Sequence, residues 1–402
     1  MVLAVLAAWA SLVGGGTAWA HAGPRPALLW GAVEPVASGV SYREFSLTAS
    51  HGPVRGHLLT ADLRSPRVSL DLLYPGSVAA RSTVSRMAEA RGAVGGVNGD
   101  FFDISEAQHP GVEATGAPVG PSVASGRGIG AAVPDGQRFG PPMPRGGSTR
   151  DVIGVGTDRT GRLDRLTLRG TVTAKGRRLP LRGFNQYALP VGGIGAYTPD
   201  WGAASRRRAT CGTDTRRSAP CSDETYELTV QHGKVASESR APGRGRIAAG
   251  TVVLVGRESG ARELRRLRVG DRVRVERKLT GDGEGALRFA IGGFPVLRDG
   301  RPVAGLDGRT PAVRTSVGMA EQGRLFHLLA LDGGPEYRSG LTVAELADVM
   351  RDIGADDAVN LDGGGSSTLV TRERGGHASV RNHPSGGAER PVANGVGVFV
   401  QT

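Results

Sequence analysis

Lysine is nearly missing from this 402-residue chain: only Lys175, Lys234 and Lys278 occur, although Lys and Arg together number 50. The net charge of +12 is therefore carried by guanidinium, which suits bidentate recognition of phosphate or carboxylate. A bias toward Arg and Ala accounts for most of that excess. Aromatic residues are scarce too, at 5%, and the basic residues are scattered rather than interleaved with rings. That excludes an ordinary nucleic-acid surface and leaves an anionic polymer or phosphate-bearing substrate as the better partner. Scarce rings also weigh against a non-catalytic module that holds cell-wall glycan on aromatic platforms. Cys211 and Cys221 are the only cysteines, with no His or Cys near them at ligand spacing, so no zinc site is expected. In an exported chain they would pair as a loop staple contributing about 2–3 kcal/mol. Past the first 20 residues no apolar run could span a bilayer. Val2–Val13 reads instead as the apolar part of a signal peptide, and Ala18-Trp19-Ala20 as its cleavage pattern. Residues 1–20 are thus expected as a secretory signal, 21–39 as a linker, and the protein as secreted.

What the chain has in abundance is turn-forming residues, with 64 glycines and 24 prolines. The most informative turn follows Asp357-Ala358-Val359-Asn360-Leu361, an apolar run that ends on Asp362, three glycines (Gly363, Gly364, Gly365), Ser366 and Ser367. Glycine permits positive φ and close backbone approach to a ligand; the plainer reading is a tight surface turn. Two other segments repeat the device: Ala93–Val97 runs into Asn98-Gly99-Asp100, and Leu325–Leu331 into Asp332-Gly333-Gly334. Short apolar runs bounded by turn residues suit buried strands. If the three lie side by side, Asp100, Asp332 and Asp362 gather at one rim, where crowded carboxylates separate their proton affinities into acid and base. Chance recurrence in a glycine-rich chain is the competing reading.

Alternation over residues 40–74 predicts short strands, and Ser82 is expected to cap a short helix with Val84, Met87 and Ala88 on one face. Residues 105–150 lack periodicity and read as a surface excursion, as does the cysteine-bearing segment 196–223. Residues 151–290 read as mostly strands. Thr342 with Glu345 forms a capping box for a helix striped by Val343, Leu346, Ala347, Met350 and Ile353, and Gly354 closes it. A strand–helix–strand crossover there predicts that the Asp332 and Asn360 strands are parallel neighbours, with both exits on one side.

Taken in order, Asn98-Gly-Asp-Phe-Phe, Arg314-Thr-Ser-Val-Gly, Leu331-Asp-Gly-Gly, Ser339–Ala347, the Asn360 turn and Glu389-Arg-Pro-Val-Ala-Asn-Gly resemble the phosphodiester glycosidase family. Two departures stand out: Asp100 occupies a position where many members have Gly, and Pro335 follows Gly334 in place of Arg or Gln. The resemblance covers residues 40–402. It implies one α+β catalytic domain, rich in β-sheet with a few helices and long loop excursions. It also implies hydrolysis of a sugar, of the N-acetylhexosamine kind, joined to phosphate through its anomeric oxygen. On that basis Asp362 is expected as nucleophile or base, with Asp332 or Asp100 as its partner. Arg314 and Arg390 would clamp phosphate. Asn98, Asn360, Ser366, Ser367 and Asn394 would bind sugar hydroxyls or phosphate oxygens, with Gly363 and Gly364 shaping the turn. No cofactor is required, although carboxylates with Asn could hold a divalent cation and make a metal-assisted phosphodiesterase. His109, His327 and His383 show no ligand spacing, and His327 is expected in the core.

Overall fold

The computed structural model describes residues 27–373 and 375–401; the expected signal peptide lies outside the described residues. The alternating stretch after Val40 forms three strands, Val40–Ala49, Gly52–Asp62 and Val68–Leu73. Pro53 is tolerated in the second because pairing with the Leu325–Leu331 strand begins only at Gly56. The first two strands form a hairpin and enter a nine-stranded sheet. Its central order is Gly52–Asp62, Leu325–Leu331, Thr315–Ala320, Asp357–Asn360 and Phe294–Arg298, each antiparallel to the next. The third strand joins a second, five-stranded sheet ordered Ala378–Val380, Leu369–Arg372, Gly95–Asn98, Gly395–Val400, Val68–Leu73.

One expectation is corrected here. The strands leading to Asp332 and Asp362 run in the same direction but are not neighbours, because Thr315–Ala320 pairs with both. An intervening antiparallel strand keeps both exits on one side, so the geometric consequence survives the change in topology.

The two sheets pack face to face. Leu59 of the larger sheet fills the space left by Gly95 of the smaller, and Val97, Val317, Leu328 and Val359 share the same core. On the opposite face of the larger sheet, Gly318 makes room for Met350 and Ala355, so the helix Val343–Ile353 lies there. That helix has both halves of the expected capping box and Gly354 in the left-handed conformation. The other expected cap shifts by one residue: Thr83, not Ser82, accepts from Arg86 N–H ahead of Val84–Arg91.

Three further sheets fill residues 122–292. The expected apolar strands are present as Asp151–Gly156, Thr167–Ala174, Thr225–Gln231, Thr251–Arg257 and Val273–Thr280. Partners such as Lys234–Ser239 carry no apolar run because five of their six side chains face water. Residues 115–124, part of the expected surface excursion, are buried, and Ser122–Ala124 pairs with Leu287–Gly292. Cys211 and Cys221 are joined in a disulfide. Among the described residues there are three α-helices, and none is long and apolar enough to cross a membrane. The chain is thus a sheet-rich α+β domain.

Thr342→Ala removes the side-chain half of the capping box and is expected to cost about 1 kcal/mol, read as a lower denaturant midpoint with unchanged slope.

Candidate functional site

Asn98 ends the Gly95–Asn98 strand, fully buried between the two sheets. Its Oδ1 accepts from the Thr315 hydroxyl at 2.8 Å and from Thr368 N–H at 3.0 Å, while its Nδ2 donates to Asp362 O at 2.7 Å. Asp362 N–H in turn donates to Gly99 O at 2.9 Å. Asn carries acceptor and donor on one short planar group, so one side chain stitches three segments and brings the Asp362 turn beside Asp100.

Asp100 is held on every side. Its amide donates to Asn394 Oδ1 at 2.9 Å, across 294 residues of sequence, and its Oδ2 accepts from Gly120 N–H at 2.6 Å. A Cβ at Gly292 would overlap that same oxygen, and one at Gly120 would crowd it, so the carboxyl lies in a slot that only glycine leaves open. Burial pushes its pKa up to about 7, against the pull of Gly120 N–H, Arg138 and Phe101 N–H, and the Asp362 charge adds to the rise. Arg138, which comes from the aperiodic 105–150 segment, also lies over the Phe101 and Phe294 rings at 5.5 and 5.7 Å.

Asp362 is partly accessible. Burial raises its pKa to about 6, moderated by Ser366, by the Arg390 charge and by Gly363 N–H at 3.0 Å. Arg390 is exposed, with Nη1 3.4 Å from Ser366 Oγ. A side chain at Gly363 would meet Val313 O, one at Gly365 would meet that guanidinium, and Gly364 adopts φ 59°, so all three glycines have steric reasons. Ser367 is buried, its Oγ 3.1 Å from Thr315 Oγ1. The Nδ2 of Asn394 is buried without a partner, as is Asn360 Oδ1. Asn98, Asp100, Asp362, Ser366, Ser367, Arg390 and Asn394 thus form one constellation.

Three expected residues lie apart from it. Arg314 precedes Thr315, so strand alternation turns it away from Asn98. Its Nε donates to Leu341 O at 2.9 Å and its Nη2 to Thr310 O at 2.8 Å, ties between loops where a phosphate clamp was expected. Asn360 pairs with Ser316 in register and shares Arg314's side of the sheet; its Nδ2 donates to Leu361 O at 3.0 Å. Asp332 accepts from Gly334 N–H at 2.8 Å, from His383 Nδ1–H at 2.8 Å and, at 3.4 Å, from His57. Burial alone would raise its pKa; hydrogen bonds from His57, His383 and Gly334 outweigh it and hold the carboxyl well below the usual range. His327 is in the core, as expected, its pKa lowered to about 4 by burial.

Behind Arg138, Gln137 Nε2 donates to Thr213 O at 2.5 Å and Arg208 Nη2 donates to Gln137 Oε1 at 3.0 Å. The disulfide loop is thereby joined to the site. Neither Gln137 nor Arg138 carried a signal in the sequence, since no periodicity marks their segment. A cavity of about 950 Å³, lined by Arg127, Phe184, Arg277 and Leu279 among others, contains none of the expected site residues. Among the described residues no group of three or more His, Cys, Asp or Glu could hold a metal ion. Asn98→Ala strands Thr368 N–H and Asp362 O at once and leaves the Thr315 hydroxyl with Ser367 alone. It is expected to cost about 3 kcal/mol or more, measured by denaturant unfolding.

Residues 224–399 match the family model described as phosphodiester glycosidase. That span includes Asp332, the Asn360–Ser367 turn, Arg390 and Asn394 but not Asn98 or Asp100. No curated protein matches the chain. Among solved structures, a hypothetical protein from Synechocystis superposes at TM-score 0.70 and 21% identity, covering 94% of this chain and 64% of that one. This chain therefore spans less than two thirds of the Synechocystis protein. A Burkholderia pseudomallei protein described as exported superposes at TM-score 0.69 and 20% identity, covering 94% and 97%. The zebrafish N-acetylglucosamine-1-phosphodiester alpha-N-acetylglucosaminidase catalytic domain, auto-inhibited by its pro-peptide, gives TM-score 0.42 and 16% identity over 94% and 88%; no inference rests on that last likeness. The first two show the fold alone. In sequence, from residue 224 to residue 399, the chain resembles the phosphodiester glycosidase family.

Proposed function

We propose that this chain is a secreted hydrolase that removes a sugar, of the N-acetylhexosamine kind, from a sugar 1-phosphodiester or phosphate-linked glycan. One observation carries the reading: Asp362 and Asp100 sit at adjoining strand exits with pKa values raised to about 6 and about 7, beside the exposed Arg390. Two carboxyls with separated proton affinities are what glycoside hydrolysis uses around an oxocarbenium-like transition state. The match to the phosphodiester glycosidase model supports the same chemistry.

In this mechanism the bond between the anomeric carbon and the phosphate oxygen breaks, and the phosphate monoester departs with the electron pair. Water supplies the new anomeric hydroxyl. Asp362, ionised and accessible, acts as nucleophile or base. Asp100 holds its proton longer and keeps a second negative charge from crowding Asp362. A phosphate leaving group is already weakly basic, so steadying its charge matters more than protonating it, and Arg390 is placed for that. Asp332, expected as a partner carboxylate, stays ionised between two imidazoles and does not enter the pair.

Turnover of a sugar 1-phosphodiester in ¹⁸O-labelled water tests the reaction: label is expected in the sugar's anomeric hydroxyl. Label in the phosphate would instead indicate a phosphodiesterase, and loss of turnover with chelator its metal-assisted form. Asp362→Asn should lower kcat by on the order of 10³-fold with the fold intact by circular dichroism. Activity should rise with pH through about 6 as Asp362 ionises and fall through about 7 as Asp100 does, these being apparent values of an interacting pair. Asp100→Asn should flatten the alkaline limb; a wild-type profile with no decline above pH 7 would remove the role given to Asp100.

A further inference from the structure

The segment 382–390 runs over the Asp362 turn and carries a basic side chain at each end, His383 and Arg390. At its start, Asn382 Nδ2 donates to Leu331 O at 3.2 Å and Ser367 O at 2.9 Å, while its Oδ1 accepts from Leu369 N–H at 2.8 Å. His383 O accepts from Gly333 N–H at 2.7 Å. In the middle, the Ser385 hydroxyl donates to Gly364 O at 3.3 Å. At its end, Arg390 leans over Gly365 toward Ser366. The one carboxylate of the segment faces elsewhere: Glu389 accepts from Ser85 N–H at 3.1 Å and from the Ser85 hydroxyl. Glu389 therefore does not pair with His383 or Arg390, whose neighbouring carboxylates are Asp332 and Asp362.

His383 is built as a held imidazole. Its Nδ1 lies 2.8 Å from Asp332 Oδ2, yet the side chain is 74% exposed while that of Asp332 is fully buried. A carboxylate fixed by Gly334 N–H and His57 thus orients a ring whose other nitrogen, Nε2, points away from it. His57 is itself positioned by the Tyr42 hydroxyl, 2.8 Å from its Nδ1. A hydrogen bond to one ring nitrogen sets the orientation and proton position of the other.

Resting on the glycosidase reading above, we propose that His383, oriented by Asp332, contacts the phosphate of the substrate through Nε2. It shares the phosphate oxygens with Arg390 across the Gly364–Ser366 turn. Asp332 is then a positioning residue, which gives the third Asp-Gly exit a task distinct from the Asp100–Asp362 pair. A phosphodiester has two non-bridging oxygens: one takes the Arg390 guanidinium, and the other takes Nε2–H when the ring carries both protons. An uncharged glycoside offers neither oxygen, so the pair would select for phosphate.

The test combines binding and kinetics. In protein labelled with ¹⁵N-histidine, addition of N-acetylglucosamine 1-phosphate should shift the His383 Nε2 resonance saturably. N-acetylglucosamine alone should not, and Asp332→Asn should weaken the response. In kinetics, His383→Gln should lower kcat/KM for the sugar 1-phosphodiester roughly 10- to 100-fold. The same variant should leave kcat/KM for the 4-nitrophenyl glycoside of that sugar within about twofold, and His383→Arg should recover part of the loss. Equal losses on both substrates would reduce His383 to a structural residue and overturn the proposal, as would an unshifted resonance at saturating phosphate ligand. Should the wild type cleave neither substrate, the glycosidase reading fails, and the ¹⁵N titration alone decides for or against phosphate contact at His383.

Discussion

Everything at the site depends on one buried amide. Asn98 belongs to the smaller sheet, while Thr315 and Asp362 belong to strand ends of the larger, and Thr368 opens the way back to the smaller. Apolar packing such as Leu59 against Gly95 joins the two sheets, and a buried donor or acceptor left unpaired at their edges is costly. Asn98 satisfies three such groups together. With it in place, Asp362 N–H reaches Gly99 O, and the two carboxyls that follow are neighbours by construction.

The same short signature, an apolar strand closing on Asp and Gly, yields three electrostatic outcomes. Asp100 sits in a glycine-walled slot and keeps its proton to about pH 7; Asp362, next to Arg390 and partly open, releases it near 6. Asp332 meets imidazoles and a backbone N–H and stays charged. Sequence gives the carboxylate and the turn, but desolvation and the identity of the facing groups decide what the carboxylate does.

That difference also explains how far the chain could be read beforehand. The capped helix at Val343, the alternating strands after Val40 and the turn around Asp362 were legible because each rests on local spacing. The disulfide was legible because only two cysteines exist. Thr315–Ala320 lying between the Asp332 and Asn360 strands was not, since strand order depends on long-range pairing that no local pattern encodes. Arg314 was expected as an anion clamp from the family resemblance; its neighbour Thr315 facing Asn98 sends it to the other side. Arg138 and His383 were missed for a related reason. Each acts through a partner distant in sequence, Asp100 for one and Asp332 for the other, from segments without periodicity. Burial of residues 115–124 escaped notice because small residues there fill space without an apolar stripe.

The bond from Asp100 N–H to Asn394 Oδ1 spans 294 residues, and the neighbouring Gly395–Val400 strand pairs on both sides within the smaller sheet. A ribosome delivers these partners far apart in time. While the chain is being made, the amide of Asp100 waits for an acceptor that arrives only 294 residues later. The slot that holds Asp100 is thus closed by a residue made long after it, and the amide takes its final partner only once Asn394 is available.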